Sequence, residues 1–435
     1  MRFYLTALGC KLNQAEIESL ARKIAMCGHQ VAARPQEGDW AIINTCSVTH
    51  IADRKSRQLI RRLHRDFPHM RIAVTGCYAE LAPDALHKIE GVDLIIPNAA
   101  KDSILQQVLA SSSVSAGQVS FTEPEVGRLP IGRTRAWVKI QDGCDNRCTY
   151  CIVRVARGAQ QSRPPGEVIK EIQRRSAQGY QEIVLTGVHI GAYGRDSAPG
   201  APLPPERGWN LAHLVRTILE ETGIPRLRLS STEPWDFGEE LLDLWEDARL
   251  CRHIHLPLQS GCDQTLQRME RKYTTQRYGK IVDAIRRRIP DVSLTTDVIV
   301  GFPGETDAEY RTTLSFVERM AFSRLHVFRY SRREGTLAIN MPQQIPSALA
   351  QARSGELIAL GQRMARDFHQ KFVGKKVQVL FEGRLEGGKE SIWQGLTDNY
   401  LRVYVRCEKH LANTPAEVLC LSADETGLRG ELVSQ

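Results

Sequence analysis

Apolar runs of strand length alternate with amphipathic runs of helical length, and this alternation restricts the fold more than any other feature of the chain. In the first quarter the helical patterns occupy residues 16–25 and 54–65. The strand-like runs beside them are residues 2–8, 40–44, 71–75 and 92–96. Strands that alternate with helices pair in parallel, so we expect an α/β fold that begins with an open parallel sheet.

A second alternating series follows, with amphipathic segments such as residues 166–176, 211–220 and 276–287 between apolar runs. The apolar runs of this series are residues 136–140, 182–185, 226–229, 253–258, 292–300 and 324–328. Right-handed crossovers curl such a series of parallel strands onto itself. The pattern therefore predicts a partial (β/α)6 barrel.

The last part of the chain changes character after a polar helix that ends near Lys371. Short strand-like runs at residues 376–381 and 400–406 lie among glycine-containing turns, which predicts a small β-barrel. We expect domains at residues 1–110, 134–368 and 369–435, with a Ser-, Gly-, Pro- and Glu-rich linker at 111–133. The beginning does not resemble a signal peptide and no run is long enough to span a membrane, so a cytoplasmic protein is expected.

Three early cysteines stand just beyond the carboxyl ends of predicted strands. Cys10 closes FYLTALGC, Cys46 closes WAIINTC and Cys77 closes RIAVTGC. The carboxyl ends of parallel strands share one edge of a sheet, where such folds bind ligands, so the three thiols are expected to converge. Ordinary buried cysteines are the alternative, and we assign that role to Cys27, which follows the apolar face of a helix.

A second group of cysteines lies on one loop after the first strand of the barrel series. The loop reads GCDNRCTYC and carries Cys144, Cys148 and Cys151. A structural zinc site fills four positions and an electron-transfer ferredoxin cluster uses four cysteines. Three thiolates instead leave one iron of a cubane cluster open for a substrate or cofactor. The spacing and position are those of enzymes that bind S-adenosylmethionine (SAM) at such an iron.

With both cysteine groups, the chain resembles the radical-SAM methylthiotransferase family over essentially its whole length. The resemblance implies an amino-terminal cluster domain, a radical-SAM barrel and a carboxyl-terminal TRAM-like β-barrel. It also implies two 4Fe-4S clusters, an auxiliary one on Cys10, Cys46 and Cys77 and a radical-SAM one on the loop cysteines. The loop cysteines that match are Cys144, Cys148 and Cys151.

Five further stretches match the family in order: TGVHIGAYG, LSSTEP, LPLQSGCD, TTDVIVGFPGET and YSRREGTLA. In such enzymes strand ends hold SAM, so the resemblance makes Glu233 and Gln259 candidates for polar contacts and Gly301 a candidate for close backbone approach. A glutamate or glutamine at a strand end is also often only a loop cap. Arg154 stands where the family usually has a proline, which puts the loop beside the cluster in doubt but not its ligands.

Within the family the chain is most similar to the MtaB branch, through GCKLNQAE around Cys10 and NTCSVTHIADRKSRQ around Cys46. That branch adds a methylthio group to C2 of N6-threonylcarbamoyladenosine at position 37 of tRNA. One SAM methylates sulfur held at the auxiliary cluster, and a second is cleaved to the radical that activates C2. Sibling branches, which modify isopentenyladenosine-37 or a ribosomal protein, are alternatives. A non-enzymatic iron–sulfur RNA-binding or redox-sensing protein is a third.

The net charge of +8 is compatible with a nucleic-acid substrate. The resemblance implies that this substrate is the tRNA anticodon stem-loop, and DNA is not expected. The best candidate for gripping the RNA backbone is a run of basic residues without an intervening acid, although a solvated basic face is the alternative. Its members are Arg54, Lys55, Arg57, Arg61, Arg62 and Arg65. The resemblance further implies an electron donor of flavodoxin or ferredoxin type.

Other features carry weaker expectations. The cluster Arg286–Arg288 is read as a solvated helix end, and lysines and arginines are balanced by acids after Lys371. Aromatic side chains of the carboxyl-terminal barrel are expected mostly in its core, with RNA contact as the alternative: Phe381, Trp393 and Tyr400. Four remaining cysteines receive no role: Cys251, Cys262, Cys407 and Cys420.

Overall fold

The structure, a computed structural model, describes residues 1–112, 134–196, 208–385 and 391–433. Most of the expected linker, residues 113–133, therefore lies outside the described residues. No helix in the described ranges is long and apolar enough to cross a membrane.

The amino-terminal part is a five-stranded, wholly parallel sheet in the order β2-β1-β3-β4-β5. Its strands are β1 (Arg2–Ala7), β2 (Gln30–Ala32), β3 (Trp40–Thr45), β4 (Arg71–Gly76) and β5 (Leu94–Ile96). Its helices are α1 (Lys11–Met26), α2 (His50–Asp66), α3 (Cys77–Leu81), α4 (Pro83–His87) and α5 (Ile104–Ala110). Every residue of β3 is buried, as expected for a central strand with a hydrophobic cluster on each face. The predicted open parallel sheet is confirmed, and only the short edge strand β2 was not predicted.

The middle part contains the six predicted parallel strands of a partial barrel, in the order of the sequence. They are β6 (Arg135–Lys139), β9 (Glu182–Thr186), β10 (Arg226–Leu229), β11 (His253–His255), β12 (Ser293–Val300) and β13 (Arg324–Arg329), with a small ribbon of β7 (Gln141–Asp142) and β8 (Gln161–Ser162). They form two three-stranded sheets, and parallel bridges from Leu227 to Leu250 and from Ser231 to His255 join β10 to β11. The barrel helices are α6 (Val153–Arg157), α7 (Pro165–Ala177), α8 (Leu211–Glu221), α9 (Glu239–Leu242), α10 (Asp263–Arg268), α11 (Thr275–Arg288), α12 (Asp307–Met320) and α13 (Ser347–Gln370).

Side chains of the barrel strands alternate between the outer hydrophobic layer and the lumen. Leu227 and Leu229 belong to the outer cluster, so Arg228 points inward, and the same alternation places Trp137 and His253 in the lumen. The strand predicted at residues 253–258 is shorter in the structure and ends at His255, although Leu256 N still donates to Thr295 O of β12 at 2.9 Å.

The carboxyl-terminal part is a closed five-stranded barrel in the order β14-β15-β16-β18-β17, as predicted. Its strands are β14 (Lys376–Arg384), β15 (Ile392–Thr397), β16 (Arg402–Arg406), β17 (Pro415–Asp424) and β18 (Gly427–Leu432). Phe381 and Trp393 are in its core, as expected. Tyr400 instead leaves the turn between β15 and β16 and stacks on His253 of the larger barrel, with ring centroids 4.3 Å apart.

Candidate active site

The three early cysteines meet at one edge of the amino-terminal sheet. Cys10 is the N-cap of α1, Cys46 follows β3, and Cys77 begins α3 directly after β4. A Cβ on Gly9 would lie 2.6 Å from the Cys46 Sγ, so the Cys10 loop passes directly over Cys46 and needs a glycine there. The amide of Asn13 ties the two loops together by donating to Leu8 O at 2.8 Å and to Thr45 O at 3.0 Å.

The environment of this first triad raises the pKa of two of its thiols. Burial, with a smaller contribution from the neighbouring Cys10 and Cys77 sulfurs, raises the pKa of Cys46 to about 11. Burial also raises the pKa of Cys77, although the Arg157 guanidinium opposes that shift. Three mutually repelling thiolates next to fixed cations are a donor set that suits iron.

The second triad lies on the loop after β7, and backbone contacts fix the shape of this loop. Gly143 has φ +64°, and a Cβ there would lie 1.9 Å from Ala159 O. Cys144 N donates to Gly158 O at 3.2 Å, and Thr149 Oγ1 donates to Arg268 O at 2.9 Å. Burial, followed by the Cys148 and Cys144 sulfurs, raises the pKa of Cys151 to about 12. The Cys151 thiol therefore needs a nearby cation to ionise near neutral pH.

Arg157 connects the two triads. Its guanidinium donates to Asn13 Oδ1 at 2.6 Å and to Glu16 Oε1 at 2.9 Å, both on α1. It also donates to Asp142 Oδ1 at 2.9 Å, two residues before Cys144. Together with the effect of Arg157 on the pKa of Cys77, these contacts show that the two cysteine groups border one site.

A second guanidinium, that of Arg333, also joins the amino-terminal sheet to the barrel. Arg333, in the loop after β13, donates to Ser47 O at 2.7 Å and to Asp53 Oδ2 at 2.7 Å. Ser47 directly follows Cys46, so this loop of the barrel holds the loop of a first-triad cysteine. His50 N also donates to Ser331 Oγ at 3.2 Å, which places the start of α2 against the same loop.

Glu233, a predicted SAM contact, lies next to the second triad. It forms an ion pair with Arg271, and Arg271 Nη1 in turn donates to the Cys148 Sγ at 3.5 Å. The Arg271 guanidinium also covers the ring of Trp235, 4.8 Å from the centroid. The structure thus brings Glu233 to the cysteine loop through a buried arginine that the sequence reasoning did not identify.

His189 contacts the other end of the same loop. Its Nδ1 is 4.0 Å from the Cys144 Sγ and 3.1 Å from Asn146 Nδ2, and its Nε2 is 2.5 Å from Asp236 Oδ2. Burial disfavours the imidazolium, but the bond to Asp236 outweighs it and raises the pKa of His189 to about 9. His189 therefore lies beside Cys144, as Arg271 lies beside Cys148.

Gln259 and Gly301 adopt left-handed backbone conformations at neighbouring strand ends. Gln259 has φ +63°, and its amide donates to Asp297 O at 2.8 Å. Gly301 has φ +72°, its amide donates to Glu305 Oε2 at 2.7 Å, and a Cβ would lie 2.7 Å from the Ala350 Cβ. Packing against α13 thus accounts for a glycine at residue 301. The contact of Gly301 with SAM stays a prediction.

Below these strand ends, three polar side chains meet in the lumen. The Asp297 carboxylate lies 3.3 Å from His255 Nε2 and 3.0 Å from His326 Nδ1. Burial opposes its ionisation, but both histidines stabilise the carboxylate and hold the pKa of Asp297 well below its usual range. His326 lies on β13, the end strand of this sheet.

The basic residues of α2 divide into two groups. Five of the six are exposed, and they are Arg54, Lys55, Arg61, Arg62 and Arg65. Arg57 is half-buried and donates to Tyr78 Oη at 3.0 Å, so it supports packing of α2 on α3. In the second basic cluster, Arg286 donates to Ala321 O and Arg288 pairs with Asp243, which accounts for both as helix-end contacts.

The cysteines outside the two triads lie elsewhere. Cys27 packs against the core of the amino-terminal sheet, as expected. Cys251, Cys262 and Cys420 are buried and Cys407 is half-buried. Arg154 is exposed on α6, so the residue that replaces the family's usual proline points away from the cysteines.

Sequence reasoning missed four functional contacts, at Arg157, His189, Arg271 and Arg333. A signal for two of them was present. His189 lies within TGVHIGAYG and Arg333 within YSRREGTLA, both strand-end motifs. Arg157 and Arg271 stand in segments whose partners are far away in the sequence, so only the folded chain shows their roles.

Comparison with known proteins agrees with this geometry. Residues 138–317 match the Radical SAM superfamily, and residues 2–97 match the Uncharacterized protein family UPF0004. The radical-SAM match implies SAM and a 4Fe-4S cluster, which the donor sets described above fit. The radical S-adenosylmethionine methyltransferase TsrM from Kitasatospora setae shares the fold, with TM-score 0.53, 15% identity and coverage of 75% of this chain and 72% of that chain.

Curated relatives extend the likeness over nearly the whole chain. The threonylcarbamoyladenosine tRNA methylthiotransferase MtaB of Bacillus subtilis is 35% identical, over 98% of this chain and 95% of that protein. MtaB of Thermotoga maritima is also 35% identical, over 93% and 90%. A tRNA-2-methylthio-N(6)-dimethylallyladenosine synthase of Corynebacterium urealyticum is 36% identical, over 87% and 72%. The chain belongs to the radical-SAM methylthiotransferase family, close to MtaB.

Proposed function

We propose that this protein adds a methylthio group to C2 of N6-threonylcarbamoyladenosine at position 37 of tRNA. The observation that carries the proposal is the pair of cysteine triads that border one site and are joined by Arg157. MtaB relatives along the whole chain support threonylcarbamoyladenosine as the substrate. The C2–H bond of an adenine is not acidic, so general-base chemistry alone does not suffice and radical chemistry is required.

In this proposal Cys10, Cys46 and Cys77 hold an auxiliary 4Fe-4S cluster, and the second triad holds the radical-SAM cluster. The residues of the second triad are Cys144, Cys148 and Cys151. Each triad supplies three thiolates, which leaves one iron of each cluster open for sulfur or for SAM. When bound, the clusters and SAM would supply the radical that removes the C2 hydrogen and the methylated sulfur that replaces it.

The residues of the chain orient and insulate these groups. Arg157 and Asn13 hold the Cys10 loop against the barrel, and they would thereby keep the two cluster-binding loops next to each other. Arg271 places positive charge beside Cys148, which favours its thiolate, and His189 lies beside Cys144. Glu233, Gln259 and Gly301 are proposed to border SAM, and Arg271 fixes the Glu233 carboxylate beside the cluster loop.

The anticodon stem-loop of tRNA is the proposed partner. Position 37 lies in a single-stranded loop, where a base is splayed out without opening a duplex. The amino-terminal end of α2 contacts the loop after β13 at the mouth of the barrel. The exposed arginines and Lys55 of α2 extend from that mouth and are proposed to contact phosphates of the stem, whereas Arg57 supports the helix.

We extend the proposal to organisation, location and electron supply. The chain is proposed to divide into domains at residues 1–110, 134–368 and 369–435, with a linker at 111–133. It is proposed to act in the cytoplasm, where tRNA is available and thiols stay reduced. An electron donor of flavodoxin or ferredoxin type would supply the electrons for the cleavage of SAM.

The direct test is mass spectrometry of nucleosides after reaction of the reconstituted holoenzyme with SAM and reductant. Two tRNAs are compared, one with threonylcarbamoyladenosine-37 and one with isopentenyladenosine-37. The proposal expects methylthio only on threonylcarbamoyladenosine. The dimethylallyl relative at 36% identity makes isopentenyladenosine the second candidate, and a product on that nucleoside alone would replace the proposed substrate.

A further inference from the structure

The floor of the barrel lumen gathers more positive charge than it neutralises. The Tyr400 ring lies at its centre, with the Lys11 Nζ 5.8 Å, the Arg135 Cζ 5.6 Å and the Arg228 Cζ 4.9 Å from the ring centroid. Glu182 pairs with Arg228 at 2.7 Å, and Glu382 pairs with Arg135 at 2.7 Å. Lys11 has no carboxylate at ion-pair distance among the residues that the structure describes.

Several hydrogen-bonding nitrogens in the same place are also without partners. Within the described ranges, Arg135 Nη1, Trp137 Nε1 and His253 Nδ1 are buried and make no hydrogen bond. All three residues surround Lys11 or Tyr400, since the Lys11 ammonium is 5.6 Å from the Trp137 ring and His253 stacks on Tyr400. The Arg135 and Trp137 nitrogens donate to no acceptor there, which adds to the positive potential around Lys11.

Docking of the carboxyl-terminal barrel supplies Glu382 to Arg135, but among the described residues it brings no carboxylate to Lys11. That docking uses Arg228, which donates to Asp398 O at 2.8 Å and to Thr397 O at 3.2 Å, and Asn399, which donates to Asp291 O at 3.0 Å. Those groups are satisfied. Tyr400 is held at φ +67°, a strained conformation for a bulky side chain, and this places its ring at the lumen floor.

We propose that this lumen floor binds the carboxylate of the N6-threonylcarbamoyl group, with the Lys11 ammonium as its partner and with Arg135 and Arg228 contributing to the positive potential around it. The inference rests on the proposed function and assigns the residues that select its substrate. The pKa of Tyr400 agrees with a positive floor, because the three surrounding cations lower it although burial opposes ionisation.

The connectivity of the chain supports this substrate. Lys11 directly follows Cys10, so an anion at its ammonium lies one side-chain length from the auxiliary triad. In an adenine, C2 and C6 flank the same ring nitrogen. A base with C2 at the auxiliary site therefore directs its N6 substituent to a neighbouring position. A threonylcarbamoyl group ends in a carboxylate, whereas an isopentenyl group is an apolar hydrocarbon that cannot compensate Lys11.

The test compares binding of three anticodon stem-loop RNAs to the reconstituted holoenzyme by fluorescence anisotropy. They carry threonylcarbamoyladenosine, its neutral and isosteric threoninamide analogue, or plain adenosine at position 37. Charged hydrogen bonds of this kind change affinity by about 10- to 100-fold. The wild type is therefore expected to bind the acid that much more tightly than the amide. Equal affinity for the two would overturn the proposal without any substitution.

Substitutions then assign the effect to Lys11. Lys11→Met is expected to bind acid and amide alike, and Lys11→Arg to recover most of the preference, since either cation pairs with a carboxylate. Lys170→Met, which removes an exposed lysine of α7, is the matched control and should behave as the wild type. An unchanged preference in Lys11→Met, with iron content equal to that of the wild type, contradicts the assignment.

The outcome is separable from that of the proposed function. If the enzyme adds methylthio to threonylcarbamoyladenosine but binds the acid and the amide equally, the proposed function stands and the proposed carboxylate subsite is wrong. If the enzyme binds the acid more tightly than the amide but forms no methylthio product, the carboxylate subsite stands and the proposed function is wrong.

Discussion

The Nη2 of Arg157 lies 2.6 Å from the Oδ1 of Asn13, and this hydrogen bond joins the barrel to the loop that carries Cys10. The same guanidinium is 2.9 Å from Asp142, just before Cys144. One buried side chain therefore links two cysteine groups whose nearest members, Cys77 and Cys144, are 67 residues apart in the sequence.

Replacement of Arg157 by methionine is expected to destabilise the protein by about 3–5 kcal/mol, because it leaves the buried Glu16 and Asp142 carboxylates without this partner. Urea denaturation of the apo-protein measures the loss. Arg154→Met, an exposed position on the same helix, is the control and should stay within about 0.5 kcal/mol of the wild type. Equal urea midpoints for the two variants would show that Arg157 does not stabilise the folded protein.

Arg228 and Glu182 form a fully buried ion pair in the lumen, with Nε and Oε1 2.7 Å apart. Arg228→Met is expected to cost about 3–5 kcal/mol, because an unpaired buried carboxylate remains. The double variant with Glu182→Leu should recover part of that loss, although the bonds of Arg228 to Thr397 O and Asp398 O stay broken. Denaturant midpoints test this, and a double variant less stable than Arg228→Met would contradict it.

His369 gives a pH dependence of stability with a definite sign. Burial lowers the pKa of His369 below its ordinary value, so the unfolded chain binds a proton more readily than the folded protein. The stability that neutral, buried His369 contributes is fully present above about pH 6.5. The free energy of unfolding then falls as the pH drops below that value, by at most about 1.4 kcal/mol per pH unit.

His369→Gln keeps a donor for Asp424 O, which lies 2.6 Å from His369 Nδ1, but does not titrate. Its denaturant midpoint should therefore decline less than that of the wild type between pH 7.5 and pH 5.5. Parallel declines for the two proteins would show that His369 does not cause the effect.

The basic face of α2 is expected to contribute to RNA affinity through phosphate contacts. Arg61→Ala with Arg62→Ala should weaken binding of the anticodon stem-loop and reduce the slope of log K against log salt by about 1–2. The control is Arg287→Ala, which removes an exposed arginine of α11 and should leave the slope unchanged. A double variant with the wild-type slope would leave α2 as a solvated face.

The sequence was sufficient for the fold because its strands are strongly apolar and its β-then-α order leaves few topologies. The same pattern predicted that Cys10, Cys46 and Cys77 converge, since all three follow strands of one parallel sheet. Element ends were less predictable. The helix expected at 16–25 begins at Lys11, immediately after Cys10, and Cys77 begins a helix of its own.

Contacts between distant segments were not predictable from patterns. Arg157, Arg271 and Arg333 acquire their roles from packing of the sheet against the barrel, which hydrophobic periodicity does not describe. Tyr400 was expected in the core of the carboxyl-terminal barrel or on RNA, yet it lies at the lumen floor because a left-handed turn directs it there.

The most direct test of the account is to measure 5′-deoxyadenosine and methylthio nucleoside together in three cysteine variants of the reconstituted enzyme. Cys46→Ala should still cleave SAM but form no methylthio product, because only the auxiliary cluster is lost. Cys148→Ala should lose both products, and Cys27→Ala, whose side chain packs in the core of the sheet, should keep both. Methylthio product from Cys46→Ala at the wild-type level would contradict two cooperating clusters in one site.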